Sequence, residues 1–427
     1  MKARQPRVSV LIPTTGRVEL IRDAIASVLA QDMADFEIVV ASLGNEAAMA
    51  ALLASFGDER IRQVPVPLGT PGLTTWDRAA TEARGSYFFW LDDDNYLLPG
   101  ALALLLRCAD TYGADLVAGG HFYYYDVKHP RPQLRGALGV VPFTGSCQTF
   151  SSQDAIAALF TLARIGPKHR IPRLHPSALL VSRTVVRKAQ EHFGSVLFTD
   201  LPNTHSFQPI VLSQAAQCLS LDYPVVVVGR FGISMSQVWS TAARDRFRRD
   251  PFIRRFSPVI GYTRINGTME NYLRLKQEFP ADFGAVPVNF SLFAQIYLQE
   301  LRYLDMDAAL VVPTWENLFA FIATLPEPDC RILRREAAMA AAKYPLVFMA
   351  RRLRLHRLWR LLKAQVRTST HTPREAFAAQ KEFSIPLAPY REASTIGGAA
   401  QHAFSILAKE IAPDLVPTVD GAALLPE

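Results

Sequence analysis

Three consecutive aspartates, Asp92, Asp93 and Asp94, are the residues of this sequence best suited to chemistry. They follow the apolar run Tyr87–Leu91, so we expect them at the carboxyl end of a buried strand, where open α/β sheets bind their ligands. Residues 92 and 94 of an extended segment project to the same side, so their carboxylates can share a hard divalent ion, Mg²⁺ or Mn²⁺. The simpler interpretation is a solvated acidic turn in which Asp94 or Asn95 caps the next helix.

The first hundred residues contain the elements that would position these aspartates. Short β-rich apolar runs alternate with amphipathic stretches, which is typical of βαβ units around a mostly parallel sheet. The predicted strands are Val8–Ile12, Phe36–Ala41, Ile61–Val66 and Tyr87–Leu91. The predicted helices are Val18–Leu29, Glu46–Phe56 and a third that is capped by Thr74 or Thr75 and reaches Arg84. This pattern predicts an α/β fold with a Rossmann-like mixed, mostly parallel sheet.

The pattern of elements changes once along the chain. The mixed α/β pattern continues to a strand at Pro224–Val228, and from about Ser240 onward helical segments predominate. We therefore expect two domains, a catalytic-type domain over residues 1–235 and a predominantly helical C-terminal region over residues 236–427.

Composition excludes several classes of protein. With 427 residues, 49% hydrophobic and 20% charged, the chain is folded and too long for a single small core. Its apolar runs are much shorter than the roughly 18–20 residues that span a bilayer, and residues 1–6 have no apolar secretion signal. The four cysteines form no C-x-x-C pair, which favours buried thiols in a reducing compartment. We expect a cytoplasmic protein that is neither membrane-spanning nor exported.

The positive charge is concentrated in one segment. Residues 330–367 contain eleven Lys or Arg and one acid, so this segment carries +10 and the rest of the chain −3. The pattern near residues 346–367 predicts a basic amphipathic helix with a Leu/Trp face. Such a helix can lie on an anionic membrane surface or can pack its apolar face on the protein. The acidic remainder argues against nucleic acid as a partner.

The order and spacing of these elements resemble the family-two inverting glycosyltransferases of the A-type fold, in their bacterial form. The resembling segments are Val8–Thr14, Phe36–Val40, Trp76-Asp77 ahead of Gly85–Tyr87, Leu91–Asp94, His175–Ser177 and Tyr223–Gly229. The resemblance covers about residues 7–235. It implies a nucleoside-diphosphate sugar donor, a saccharide or lipid-linked acceptor, and Mg²⁺ or Mn²⁺ on the diphosphate.

The resemblance also implies which residues bind the donor. The loop residues that match the nucleotide pocket are Pro13, Thr14 and Thr15. Arg17 is placed to reach a phosphate, or else faces solvent at the start of a helix. Relatives commonly have an Asp after the second strand, contacting the base, where this chain offers Ser42 or Asn45. Asp77 stands where an Asn or an acid is often found, although it also fits an ordinary surface position on a helix.

The aspartate triplet receives its roles from the same resemblance. Asp92 matches the carboxylate near the ribose and diphosphate and stands beside the metal, while Asp94 matches the metal ligand itself. Asp93, between them, is grouped with the donor-binding residues.

An inverting transfer also needs a base that accepts the proton of the acceptor hydroxyl. In the family this base is an acid on a loop about a hundred residues beyond the metal motif. Where relatives often read Pro-Asp, this chain has Asn203, and an amide is not a base. Asp200 is our first candidate and His205 the second.

The function expected from these features is inverting glycosyl transfer of the hexosyltransferase type. A catalytically lapsed relative that binds sugar nucleotides or scaffolds polysaccharide assembly is the first alternative, kept open by Asn203 and the missing Asp after the second strand. A sugar-phosphate nucleotidyltransferase is the second, but the loop at residues 13–17 lacks a glycine-rich phosphate cradle.

Overall fold

The structure is a computed structural model, and it describes most of the first 231 residues and parts of the rest. The described residues are 5–129, 134–140, 143–163, 172, 174–201, 203–231, 255–261, 263–301, 308–342, 395–410, 418–419 and 422–423. The chain divides into two compact units: Met1–Leu159 with Ile165–Gln237 and Pro386–Glu427, and Phe160–Arg164 with Val238–Ile385. The basic helix predicted near residues 346–367 lies outside the described residues.

The first unit begins with the predicted alternation of strands and helices. In chain order the elements are β1 (Val8–Thr14), α1 (Val18–Leu29), β2 (Phe36–Leu43), α2 (Glu46–Ala54), β3 (Ile61–Val66), α3 (Thr74–Glu82), β4 (Tyr87–Trp90), β5 (Tyr96–Leu97) and α4 (Ala101–Tyr112). The third helix differs from the prediction at its start. Its N-cap position is Leu73, with no side-chain cap, and the Thr75 hydroxyl instead donates to the Gly72 carbonyl oxygen at 2.8 Å.

The unit continues with longer strands and shorter connecting elements. These are β6 (Leu116–Tyr125), β7 (Leu138–Gly139), β8 (Cys147–Phe150), α5 (Ser152–Thr161), a 3₁₀ turn (Pro176–Ala178), β9 (Leu179–Ser182), α6 (Arg183–Phe193), α7 (Phe207–Gln214) and β10 (Cys218–Arg230). Strand β10 is longer than the predicted segment Pro224–Val228, because it pairs with β6 along Leu116–Tyr125.

In the described part of the chain the central sheet has the order β3-β2-β1-β4-β9-β6-β10-β5, with β7 beside β6 and β8 beside β10. β1, β2, β3 and β4 are parallel, β9 is antiparallel to both β4 and β6, and β6 is parallel to β10. Of these seven strands, the six other than β9 therefore end at one edge of the sheet, and β9 begins there. The mixed, mostly parallel sheet predicted from the sequence is confirmed.

An aromatic cluster fixes the end of β4. Trp76 of α3 stacks on Trp90 of β4 with ring centroids 6.0 Å apart, and Phe207 of α7 meets Trp90 edge-on at 4.7 Å. The three side chains are buried and supply a large apolar area at one point. The backbone N–H of Leu91 extends the pairing to Leu11 of β1, 2.9 Å away, and so holds the chain as it enters the aspartates.

A late helix returns to the first unit. We label it α13 (Ile396–Glu410), and it packs on α1, β5, β6 and β10. Its buried residues Ile396, Ala399, Ala400 and Ala403 follow the spacing of one helix face. The sequence-based division placed everything after residue 235 in a separate region, whereas α13 belongs to the first unit. The sequence did not reveal this because the buried face of α13 is mostly alanine, which is a weak hydrophobic signal.

The second unit is helical in its described part. Its helices are α8 (Arg264–Glu278), α9 (Pro280–Phe283), α10 (Phe290–Leu301), α11 (Ala308–Ile322) and α12 (Asp329–Ala341). Its core includes Met269, Phe293, Tyr297 and Leu318. No helix within the described residues is long and apolar enough to cross a membrane.

Candidate active site

Asp93 is the anchor of the aspartate triplet. Its carboxylate has no exposed surface and forms an ion pair with the Arg17 guanidinium, whose Nε donates to Oδ2 at 3.1 Å. The Thr14 hydroxyl donates to the same oxygen. Burial raises the pKa of Asp93 to about 6, and the charge of Arg17 is the largest influence opposing that rise. Asp93 therefore ties the loop after β1 to the end of β4, and Arg17 is partly buried and paired with this carboxylate.

Asp92 lies in a different environment. The Ser177 hydroxyl, from the 3₁₀ turn before β9, donates to its Oδ2 at 2.8 Å. Burial raises the pKa of Asp92 to about 7, and the charge of Asp94 raises it further. At neutral pH this carboxyl group is therefore close to its titration point, because it is buried beside the charge of Asp94.

Asp94 is held from the other side by β10. Gly229 is the residue of close approach, because a Cβ there would lie 1.9 Å from the Asp94 carbonyl oxygen. Its backbone N–H donates to the Asn95 side-chain oxygen at 3.0 Å. The interpretation of Asp94 or Asn95 as a helix cap is wrong, since α4 begins at Ala101 with Gly100 at its N-cap.

The residues expected around the nucleotide divide into buried and accessible ones. Pro13 and Thr14 are buried, and Thr15 is exposed. Ser42 is fully buried, and its hydroxyl accepts a hydrogen bond from the Gln63 amide at 3.0 Å. Asn45 donates to the Gly16 carbonyl oxygen at 3.1 Å and so links the two loops that follow β1 and β2.

Asp77 makes a contact that the sequence did not indicate. Its Oδ1 accepts hydrogen bonds from the Val196 backbone N–H at 3.2 Å and from the Gln190 amide at 3.3 Å. Asp77 on α3 therefore holds the start of the loop between α6 and α7, which carries both candidate bases.

The candidate bases lie on this loop. Its buried residues Val196, Leu197, Phe198 and Leu201 anchor it, and the Phe198 N–H donates to the Ser206 hydroxyl at 2.9 Å. Asp200 is exposed and His205 is half-buried. The His205 backbone N–H donates to the Asn203 side-chain oxygen at 3.1 Å, so Asn203 shapes the loop rather than serving as a base.

The donor set at Asp92 and Asp94 fits a divalent cation. Within the described ranges no three His, Cys, Asp or Glu side chains are grouped to hold a metal ion by themselves. Mg²⁺ commonly uses one or two carboxylates together with substrate phosphates and water, so two carboxylates suffice for such a site. Three adjacent carboxylates facing the single guanidinium of Arg17 leave negative charge that a cation would neutralise.

Sheet order and site together define an A-type glycosyltransferase fold with its acidic motif at the carboxyl edge. Residues 9–172 match the profile of glycosyl transferase family 2, so the chain contains a domain of this glycosyltransferase family. The expectation drawn from the sequence resemblance is confirmed for the family over residues 9–172.

Three similar proteins accompany this match. A β-1,3-glucosyltransferase of Campylobacter jejuni acting on GalNAc(5)-diNAcBac-PP-undecaprenol is 31% identical over 110 residues, 25% of this chain and 35% of that protein. WcaA of Escherichia coli K12, named for a glycosyl transferase of colanic acid biosynthesis, is 26% identical over 134 residues, 29% of this chain and 48% of that protein. The chain thus spans less than half of these relatives.

The structure of S. aureus TarS 1-349 in complex with UDP-GlcNAc superposes with a TM-score of 0.50 at 12% identity. The superposition covers 80% of this chain and 91% of TarS 1-349. At this identity the likeness establishes the fold alone.

Proposed function

We propose that this chain is an inverting glycosyltransferase that moves a sugar from a nucleoside-diphosphate sugar to a saccharide or lipid-linked acceptor. The observation that carries the proposal is the unequal treatment of the three aspartates. Arg17 forms its close ion pair with Asp93 and reaches Asp94 at 3.9 Å, whereas burial and the charge of Asp94 raise the pKa of Asp92 to about 7. A divalent cation would favour the ionised form of Asp92 and bring its charge to the donor diphosphate.

In this proposal Asp94 and Asp92 hold Mg²⁺ or Mn²⁺ at the donor diphosphate. When bound, the cation stabilises the charge that develops on the leaving diphosphate. The chain's own contribution is to fix the two carboxylates, through Ser177 on one and through the close packing of Gly229 on the backbone of the other. Thr15, as the accessible residue of the loop after β1, is assigned to the nucleotide.

Asp200 is proposed as the base. It is exposed on a loop whose backbone is held at Val196 by Asp77 and at Phe198 by Ser206. An ordinary carboxyl group is ionised at neutral pH, so position is what the base requires. The proton of the acceptor hydroxyl would pass to this carboxylate as the hydroxyl oxygen attacks the sugar carbon opposite the diphosphate.

A lipid-linked acceptor is favoured over a free saccharide. The C. jejuni relative is named for an undecaprenol-linked acceptor, and the basic segment near residues 346–367 suits an anionic membrane surface. We place the reaction at the cytoplasmic face of a membrane for such an acceptor.

The metal-dependent part of the proposal is tested by calorimetry with UDP and UDP-GlcNAc, with Mn²⁺ and then with EDTA. We expect tighter binding with Mn²⁺ and loss of this dependence in Asp94→Asn. Asp58→Asn is the matched control, because Asp58 pairs with Arg60 at the start of β3. Equal binding in EDTA would refute the metal assignment. Nucleotide binding without any transfer of sugar would favour the lapsed enzyme.

The base is tested by kinetics on two linked variants. We expect Asp200→Asn to lower turnover by about 10²-fold or more while donor binding is unchanged, since the base acts in the transition state. Asn203→Asp is then introduced into Asp200→Asn. Full activity in Asp200→Asn alone would show that the base is not Asp200, whereas recovery of activity in the double variant would show that a carboxylate at position 203 can take over the role lost at position 200.

A further inference from the structure

Three basic side chains lie close together at the edge of the sheet beside Asp92, and a fourth acts on them through its charge. His121 lies on β6, three residues beyond Ala118, where β6 ceases to pair with β9. His175 directly precedes the 3₁₀ turn that leads into β9, and Arg230 is the last residue of β10. His205 comes from the loop between α6 and α7. We call His121, His175, His205 and Arg230 the histidine cluster.

Contacts within the first unit hold the histidine cluster together. The rings of His121 and His175 have centroids 4.9 Å apart, and His121 Nε2 lies 2.8 Å from the Tyr123 hydroxyl. The Arg230 guanidinium carbon stands 4.8 Å from the centroid of the Tyr123 ring. Tyr123 therefore joins His121 to Arg230.

The hydrogen bond at His175 determines which ring nitrogen can bind a ligand. His175 Nδ1 accepts the Ser177 backbone N–H at 3.2 Å. A neutral imidazole that accepts at Nδ1 carries its proton on Nε2, so Nε2 is a hydrogen-bond donor. The same Ser177 donates its hydroxyl to Asp92, so one residue links His175 to the acidic motif.

The electrostatic environment at His175 is positive. Burial lowers the pKa of His175 well below its usual range, and the charges of His121, Arg230 and His205 lower it further. An anion here would be stabilised by the charge of Arg230 and by the Nε2–H of the neutral His175 ring. His121 is buried, but His175, His205, Tyr123 and Arg230 all retain some exposed surface from which they could reach a ligand.

The histidine cluster lies on the opposite side of Asp92 from the residues assigned to the donor. On one side of β4 in the sheet, β1 ends at Thr14 and is followed by Thr15 and Arg17. On the other side, His121, Arg230 and His175 come from β6, β10 and the turn before β9. A ligand of the cluster would therefore approach the reacting centre from the side away from the nucleotide.

We propose that the histidine cluster binds a phosphate group of the acceptor, with Arg230, His175 and His205 as donors to its oxygens. Several N–H donors that converge from different elements suit a tetrahedral oxyanion. The proposal rests on the proposed function only in calling this ligand the acceptor, because the phosphate site itself is a statement about these side chains.

The test is calorimetric binding of inorganic phosphate to the full chain with UDP and Mn²⁺ already saturating. We expect Arg230→Gln and His175→Gln each to weaken phosphate binding at least tenfold and to leave UDP binding unchanged. Arg78→Gln is the charge-matched control, because Arg78 is exposed on α3 and pairs with Glu82 along its own helix. Retained UDP binding also shows that each variant is folded.

Further probes separate the sources of the phosphate. Glycerol phosphate represents a soluble phosphate ester, and vesicles of phosphatidic acid, compared with phosphatidylcholine, represent a lipid phosphate. The probe, glycerol phosphate or the phosphatidic acid vesicle, that competes with inorganic phosphate in the wild type, but not in Arg230→Gln, identifies the source. Acetate that competes as well as phosphate would overturn the assignment in favour of a carboxylate.

Three results would overturn the proposal. They are phosphate binding that is unchanged in both variants, the absence of phosphate binding in the wild type, and loss of UDP binding in the variants, which would assign the cluster to the donor. If UDP fails to bind the wild type while phosphate binds through the cluster, the proposed function fails and the phosphate site stands.

Discussion

The two sides of Asp92 differ in how their charged groups are paired. On the β1 side, the buried Asp93 is matched with the Arg17 guanidinium and the Thr14 hydroxyl, so its charge is compensated within the protein. On the β6 side, basic groups gather around His175 and lower its pKa. The charges on the β1 side are therefore paired within the protein, and this pairing holds the loops together. On the β6 side the proposed phosphate would supply the opposite charge, as the proposed cation would at Asp92 and Asp94.

This contrast separates structural from functional charge. A buried carboxylate with matched donors serves the fold, because removing either partner leaves an uncompensated charge. A partly exposed group whose pKa is shifted by like charges is a candidate for binding. The sequence separated Asp92 and Asp94 from Asp93 by strand alternation, and the structure adds that Asp93 is paired with Arg17.

The largest effect is expected at the compensated side. Arg17→Met should lower the free energy of unfolding by about 3 kcal/mol, because it strands the buried Asp93 charge. Denaturant unfolding measures the change. Adding Asp93→Asn should recover much of the loss. Arg78→Met, at an exposed position of α3, is the control and should change stability by less than about 0.5 kcal/mol. A stable Arg17→Met would show that the Asp93 charge is not locked as described.

The next effect concerns the approach of β10 to the triplet. Gly229→Ala should destabilise the protein by about 2 kcal/mol, because the added Cβ meets the Asp94 carbonyl oxygen and the backbone must move. Mn²⁺-dependent UDP binding should weaken as well. Gly72→Ala is the control, since a Cβ there meets only the Thr15 methyl group at an ordinary 3.6 Å. Equal stability of the two variants would contradict the close packing at Gly229.

The sequence could predict the sheet because its signal is local. The alternation of apolar strands and amphipathic helices marks each element of β1 to β4 within a few residues, and the position of the aspartates follows from the strand before them. The short strands β5, β7 and β8 were not predicted, because two to four residues carry no periodicity.

The site's partners could not be predicted, because they come from distant parts of the chain. Ser177 is 85 positions from Asp92, Asp77 is 119 from Val196, and Arg17 is 76 from Asp93. Nothing in the local sequence of Arg17 distinguishes a buried ion pair from a phosphate contact. Likewise Cys108 and Cys147 seemed unrelated in the sequence, yet their sulfur atoms lie 3.9 Å apart.

A smaller effect tests the charge of Asp92 through pH. Because folding raises its pKa to about 7, the folded state binds this proton more tightly than the unfolded chain does, and stability falls as pH rises from about 4 through 7. Asp92→Asn should remove this fall and make the metal-free protein about 1 kcal/mol more stable than wild type at pH 8, after allowance for solvent screening. Thermal unfolding at pH 5 and pH 8 measures it. Equal pH dependence in both proteins would contradict the raised pKa.

The smallest effect tests whether the loop with Asp200 and His205 can be loosened without disturbing the donor side. Asp77→Ala removes the acceptor for the Val196 N–H, which should cost about 1 kcal/mol of stability and lower turnover about tenfold, with UDP binding unchanged. Asp77→Asn keeps an oxygen that can accept this hydrogen bond, so it should stay close to wild type in both measurements. If Asp77 instead contacted the nucleotide through its charge, Asp77→Asn would lose UDP binding as Asp77→Ala does. Loss of turnover in Asp77→Ala with recovery in Asp77→Asn is the pattern that only a positioning role produces.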